Sequence, residues 1–313
     1  MVIGGTGSFG SCLLKRVYGT PDCPELLVFS RDEKKRWEMA QQFPNVTYIV
    51  GDIRDQDRLV EAMRGVDYVF HAAAYKQVPA CESNPVEAIK TNVMGAINVC
   101  RAAITNNVTR VVGLSTDKAV HPINTMGMTK ALQEKVFISY DKVDSSTRFI
   151  NVRYGNVLGS RGSVVPVFVD QAKRKVPYTI THPDMTRFLL TLDDAVTLVL
   201  TAMQSTYTGV TLVNKMPAST VTDLAQAVHK TVTGNSSKDA ELKFIGVRPG
   251  EKIHEALISS DEMCFAYDCG SYFRIDYNTV NPDKHLTYPY TSDVAEQLDV
   301  PALVSVLGKA QLV

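Results

Sequence analysis

The chain opens on Met1-Val2-Ile3 and runs straight into Gly4-Gly5-Thr6-Gly7-Ser8-Phe9-Gly10, with a helix-like stretch from Ser11 to Tyr18 behind it. Glycines at 4, 7 and 10 meet three separate needs: a tight turn, close approach of backbone to a pyrophosphate, and close packing of helix on strand. A glycine pattern by itself says little, but one set between a strand and a helix points to a βαβ start with a dinucleotide at the helix N-terminus. Gly4, Thr6, Gly7, Ser8, Phe9 and Gly10 are therefore the expected cofactor loop.

The alternation continues in the same style. Strands are expected at Leu26–Phe29, Val46–Val50, Val66–His71, Arg110–Ser115 and Thr147–Arg153, with helical patterns between them that include Pro85–Asn106 and residues 125–142. This order predicts an α/β chain: a Rossmann-type doubly wound parallel sheet over residues 1–160. From 161 to 313 the alternation is irregular, which predicts a smaller C-terminal substrate-binding lobe with segments returning to the Rossmann domain. Helices are expected there near 164–174, 193–204, 220–232 and 301–308, and strands near 210–213, 242–245 and 272–275.

Strand ends of such a sheet carry the ligand contacts. Ser30 and Arg31 end the second strand where a ribose is read; Arg31 and Lys35 suit a 2′-phosphate, so NADP is expected, with NAD as the alternative. After the third strand, Asp52 is placed to accept from an adenine amino group and Ile53 to flank the ring. Ala72 and Ala73 leave room for cofactor backbone contact after the fourth, and Lys76 follows as a phosphate contact or a solvated lysine. His71 reads as a packed, hydrogen-bonded strand-end residue, since no second ligand stands at metal spacing.

The fifth strand delivers Ser115-Thr116-Asp117-Lys118, and the next helix carries Met126 and Lys130 on one face. An acid and an ammonium at a strand end suggest proton transfer, whereas a thioether neither donates nor accepts a catalytic proton. Asn156 and Arg161 lie in a Gly- and Ser-rich run after the sixth strand that suits a polar ligand. Arg187, Arg248 and Lys252, with Glu251 between the last two, could grip a diphosphate, a structural salt bridge being the alternative.

Composition narrows the partners. Lys plus Arg and Asp plus Glu both total 33, a formal net charge of zero, so no nucleic acid is expected to bind. The six cysteines are scattered without ligand spacing, no metal site is visible, and no apolar run nears the ~18 residues of a spanning helix. With strand and glycine loop at the very start, there is no room for a signal peptide, and a cytoplasmic protein without membrane partners is expected.

Taken together, GGTGSFG at 4–10, HAAAYKQVPACE at 71–82, STDKAVHPINTMGMTKA at 115–131, VRYGNVLGSRGSVVP at 152–166 and VRPGEKIHE at 247–255 make the chain resemble an extended short-chain dehydrogenase/reductase. Within that superfamily it resembles the inverting UDP-N-acetylglucosamine 4,6-dehydratases, in the branch with Met in place of the catalytic Tyr. The resemblance implies a lyase that oxidises C4, eliminates water across C5–C6 and returns hydride to C6. Lys118 would then remove the C5 proton, Asp117 would protonate the departing hydroxyl, Thr116 would bind near C4, and Lys130 would hold a ribose hydroxyl. Substrate contacts would come from Lys76, Thr116, Met126, Asn156, Arg161, Arg187, Arg248 and Glu251. A homo-oligomer, dimer to hexamer, is implied as well. The alternatives are a UDP-N-acetylhexosamine 4-epimerase and an inactive nucleotide-sugar binding protein.

Overall fold

The computed structural model describes residues 1–143, 146–160, 162–282 and 286–310. The strands, in chain order, are β1 Val2–Ile3, β2 Leu27–Ser30, β3 Thr47–Val50, β4 Tyr68–His71, β5 Arg110–Thr116, β6 Arg148–Tyr154, β7 Asn156–Val157, β8 Tyr178–Ile180, β9 Thr186–Leu190, β10 Thr211–Asn214, β11 Ala218–Thr220, β12 Leu242–Phe244, β13 Ala256–Ile258, β14 Ala266–Asp268, β15 Tyr272–Ile275 and β16 Tyr290–Thr291. Nine of them form one sheet in the order β14-β15-β10-β6-β5-β4-β1-β2-β3. From β10 to β3 neighbouring strands are parallel; β15 and β14 are added antiparallel. The chain reverses its direction of travel between β1 and β4, and the cleft opens at that switch point.

β5 and β6 show why this sheet is central. Arg110–Leu114 and Phe149–Arg153 are continuously buried, as strands covered on both faces must be. Helices Gly95–Thr105 and Thr125–Asp141 pack on one side, where Val99, Ala103, Phe137 and Phe149 share a core. Helices Ser8–Val17 and Leu192–Gln204 cover the other, joining Leu13, Val112, Ile150 and Val199. Helix Leu192–Gln204 and strands β10, β14 and β15 thus come from the second half of the chain to complete the first layer.

The remaining C-terminal elements build the other lobe from small sheets, β11-β9-β7, β12-β8 and β13-β16. Their core is a helix cluster in which Phe168, Leu224, Val228, Leu303 and Leu307 are buried. Expected helices 164–174 and 220–232 appear as Val164–Arg174 and Val221–Thr233. The expected helix 85–106 is interrupted by a π-helical turn, Ile89–Met94, which turns Asn92 inward: its side chain binds Tyr75 N and O at 2.7 and 2.9 Å and Thr129 Oγ1 at 2.9 Å. All six cysteines are unbridged.

Candidate active site

The cleft between the lobes encloses about 800 Å³. Its floor is the glycine loop. Gly4 has φ +77° and lies so close to the β4 extension that a Cβ would fall 2.7 Å from Ala73 N, so only glycine fits there. A Cβ on Gly7 would meet only Gly4 O, at 3.2 Å, leaving its outer face open to a ligand. Gly7 caps helix Ser8–Val17 without a side-chain hydrogen bond, and the first turn holds no acidic residue, so the positive end of the helix dipole at the cleft is not offset by an acid, as a pyrophosphate requires. Thr6 Oγ1 and Ser30 Oγ lie 2.7 Å apart and tie this loop to the end of β2.

Most expected cofactor residues line this cleft: Gly4, Thr6, Gly7, Ser8, Phe9, Ser30, Arg31, Lys35, Ile53, Ala72, Ala73, Lys76 and Lys130. Two stand back from the wall. Gly10 instead lets the helix pack on the loop, since a Cβ there would lie 2.1 Å from Gly5 O. Asp52 is engaged by Arg54 at 2.7 Å and Arg31 at 3.4 Å, and those guanidiniums hold its carboxyl below the ordinary range against the opposing effect of burial. His71 is buried without a hydrogen-bond partner for either ring nitrogen, contrary to the bonded strand-end histidine expected; burial, aided by Lys130, pushes it down to about 3 and keeps it neutral.

At the C-terminal end of β5 the chain enters a 3₁₀ turn, Asp117–Ala119. Gly127 permits helix Thr125–Asp141 to sit against that turn, because a Cβ there would lie 2.2 Å from Lys118 O. Asp117 is 1% exposed. Its Oδ1 accepts from Thr116 Oγ1 at 2.6 Å, Lys118 N at 2.9 Å and Lys118 Nζ at 3.1 Å. Its Oδ2 is buried with no hydrogen-bond partner. Lys118 Nζ also lies 3.2 Å from Glu255 Oε1. Burial alone would lower Lys118, but Asp117 and Glu255 outweigh it and hold the ammonium above its ordinary range.

Lys130 is fixed deeper in the fold: Nζ donates to Leu114 O at 2.6 Å and to Gln133 Oε1, and burial pulls it down to about 8, partly offset by Glu134. Met126 is 5% exposed, packed with Cys81 and Ala88, and reaches the cleft wall. Among the described residues Tyr154 is the one tyrosine on that wall; burial pushes its phenol upward, away from service as a base.

The second lobe contributes Asn156, Arg187, Arg248 and Glu251. The salt bridge that is the alternative role for Arg187 is not what holds it; its guanidinium donates to the carbonyls of Thr186, Ile253 and Lys252 at 2.7, 3.0 and 3.0 Å. Arg248 is more than half exposed and 3.9 Å from Glu251. Asn156, Ser115 and Ser163 line the cleft, and Asn156 Oδ1, Ser115 Oγ and Ser163 Oγ are buried without hydrogen-bond partners. Arg161 lies outside the described residues. Sequence reading gave no role to Glu255, although it ends the VRPGEKIHE run; nothing local in that run indicates that it meets Lys118.

The Rossmann sheet, the glycine loop and the two-lobed cleft define an enzyme of the extended short-chain dehydrogenase/reductase class that contains sugar-nucleotide epimerases and dehydratases. More narrowly, the chain belongs to the family described as "Polysaccharide biosynthesis protein", which it matches over residues 1–277. It is similar to a protein named UDP-glucose 4-epimerase from Rickettsia felis, 51% identical over 282 residues that cover 88% of this chain and 82% of the relative. A protein of the same name from Rickettsia bellii is 49% identical over the same shares. Among solved structures, Pen from Bacillus thuringiensis is 37% identical with a TM-score of 0.91, covering 100% of this chain and 97% of that one.

These relatives overturn the assignment to the lyases: the curated proteins that share half their residues with this chain are named as isomerases. The geometry gives a physical reason. Removal of a C5 proton by Lys118 needs a neutral amine, and two buried carboxylates hold Lys118 as an ammonium. Among the described residues no helix is long and apolar enough to cross a membrane.

Proposed function

We propose that the chain is a UDP-hexose 4-epimerase that works through a bound nicotinamide dinucleotide. The observation that carries this reading is Asp117, a buried carboxylate among the residues that line the cleft, with one oxygen unpartnered and the other held beside an ammonium. The shared name of relatives about half identical to this chain supports the same reaction. When bound, the dinucleotide supplies reversible hydride exchange at C4 of the sugar. The glycine loop, Ser30, Arg31, Lys35 and Ile53 would hold it; the unobstructed Gly7 face and uncapped helix start fit its pyrophosphate. Arg31 and Lys35 favour NADP over NAD.

Asp117 then receives the proton of the sugar's O4 and returns it. Thr116 and Lys118 hold Oδ1, so the carboxylate is fixed in one orientation. The Lys118 ammonium stabilises negative charge on O4 as the proton leaves. Arg187 and Arg248 give the second lobe the positive charge that a diphosphate needs, and Asn156 offers an acceptor to the sugar. UDP-glucose and UDP-N-acetylglucosamine are the substrates of first choice. A homo-oligomer belongs to the same proposal, supported by an exposed apolar face of Ile89, Met94, Met128 and Leu132.

The test is incubation with each UDP-sugar and NAD(P), followed by mass and proton spectra. A product of unchanged mass with the C4 configuration inverted is expected. A product lighter by one water, or no conversion by protein that has bound its cofactor, refutes the reading.

A further inference from the structure

Glu255 reaches the Asp117–Lys118 turn from the other lobe. It stands just before β13, with its backbone N–H donating to Ser292 Oγ at 2.9 Å and its side chain 3% exposed. Oε1 lies 3.2 Å from Lys118 Nζ, matching the 3.1 Å from Asp117 Oδ1 to the same nitrogen. Oε2 is buried, without a hydrogen bond, 3.8 Å from Lys252 Nζ. Lys252 Nζ donates to Val120 O at 2.6 Å, so the segment touches the turn on both sides of Ala119.

The charges that face Lys118 are Asp117 on its own turn, Glu255 and Lys252 from the segment before β13, and Arg187 from β9. Two carboxylates therefore stand against two other cations. Removing one carboxylate leaves Lys118 and Asp117 among an excess of positive charge.

We propose that Glu255 is a positioning residue that holds Lys118 beside Asp117, so that the proton-transfer group is complete only when the second lobe is seated on the Rossmann sheet. The role rests on the reading of this cleft as the epimerase site. Its physical core does not: a buried ammonium between two carboxylates loses its proton at higher pH than one that keeps a single carboxylate. The 252–255 segment also carries the carbonyls of Lys252 and Ile253 that hold Arg187, so the contacts that fix Lys118 and the diphosphate-side arginine move together.

The experiment compares wild type with Glu255→Gln, which keeps shape and loses charge. Lysines are reductively methylated with ¹³C and titrated by NMR, and Lys118→Arg identifies the Lys118 signal. The signal is expected to titrate lower in Glu255→Gln by about one pH unit or more. The basic limb of the epimerase pH profile moves down by the same amount. The fold is retained by circular dichroism, with a lower melting temperature as expected for a buried pair that loses one partner, and NADP binding read from the fluorescence of Trp37, the single tryptophan of the chain, is retained. Identical Lys118 titrations in the two proteins overturn the proposal. If Glu255→Gln does not fold, Glu255→Asp, which keeps the charge and withdraws it by one methylene, is expected to shift Lys118 by a smaller amount in the same direction; no shift overturns the proposal equally. A wild type that converts no UDP-hexose refutes the epimerase reading, while the titration still decides the role of Glu255.

Discussion

Arg153 offers a quantitative test of how the lobes are joined. It stands on β6, 1% exposed, with Glu134 of helix Thr125–Asp141 on one side and, on the other, Glu262 of the connection that leads from β13 of the second lobe back to β14 of the main sheet. Its guanidinium meets Glu134 at 3.1 and 2.6 Å and Glu262 at 2.9 and 3.0 Å, and donates to Leu257 O at 2.7 Å. Burial by itself would raise Glu262; Arg153 more than reverses that, with help from Tyr277 and Ser259, and brings it from 4.5 to about 2. The folded carboxyl is thus more acidic than the unfolded one, and its stabilisation is complete above about 4.5 and lost as pH falls through about 2. A depression of this size corresponds to ~3 kcal/mol at pH 7 and roughly half that near pH 3. Glu262→Gln removes the charge and keeps the shape. Urea unfolding at pH 7 should show a loss of about 3 kcal/mol, within the range for breaking a buried pair, and the gap to wild type should narrow as the pH is lowered. A difference below about 0.5 kcal/mol, or one that does not change with pH, refutes the assignment of this stability to the Arg153 pair.

Asp117→Asn should lower kcat about 100-fold or more with NADP binding retained, because the Asp117 carboxylate, with Oδ2 unpartnered, is the proposed proton acceptor; a fall under tenfold argues for another group. Arg31→Ala should weaken NADP roughly tenfold more than NAD, measured by titration of Trp37 fluorescence, and equal weakening would remove the 2′-phosphate assignment. Replacing Met128 and Leu132 together by Glu should shift light scattering from oligomer to monomer with the fold intact by circular dichroism; a wild type already monomeric defeats the reading of that apolar face.

The sheet that carries the cofactor loop was readable because each strand ends on a residue with a local job. Gly4 needs its positive φ, and Ala72 to Ala74 stay small where the backbone nears the loop. Helix Val164–Arg174 begins after Ser163 and ends at Lys175 in the left-handed region, a boundary short-range patterns can mark. The second lobe was harder. β13 spans three residues and pairs Ala256 with Thr291, and β12 pairs Leu242 with Tyr178, so neither alternation nor proximity in sequence announces them. The same distance hid Glu255, whose partner Lys118 is far back in the chain. Arg187 is recognisable in the sequence as a cation, but that its N–H groups are taken up by three carbonyls depends on where residues 252 and 253 come to rest.

Met126 is where composition and geometry have to be reasoned together. The residue is packed against Cys81 and Ala88 and also lines the cleft, where its thioether supplies no proton. Lys130, one turn further on, is turned into the fold by Leu114 O and Gln133, and so cannot be the group that exchanges the sugar's proton without giving up both contacts. Tyr154 is ruled out as a base by burial. Of the titratable groups on the cleft wall near β5, that leaves the two carboxylates that flank Lys118, Asp117 and Glu255, each with one oxygen that makes no hydrogen bond; Asp117 is the one at the strand end, oriented by Thr116 and Lys118. On the epimerase reading proposed above, proton transfer would run at the strand end rather than on the helix, beside the Lys118 that Glu255 contacts from the segment before β13.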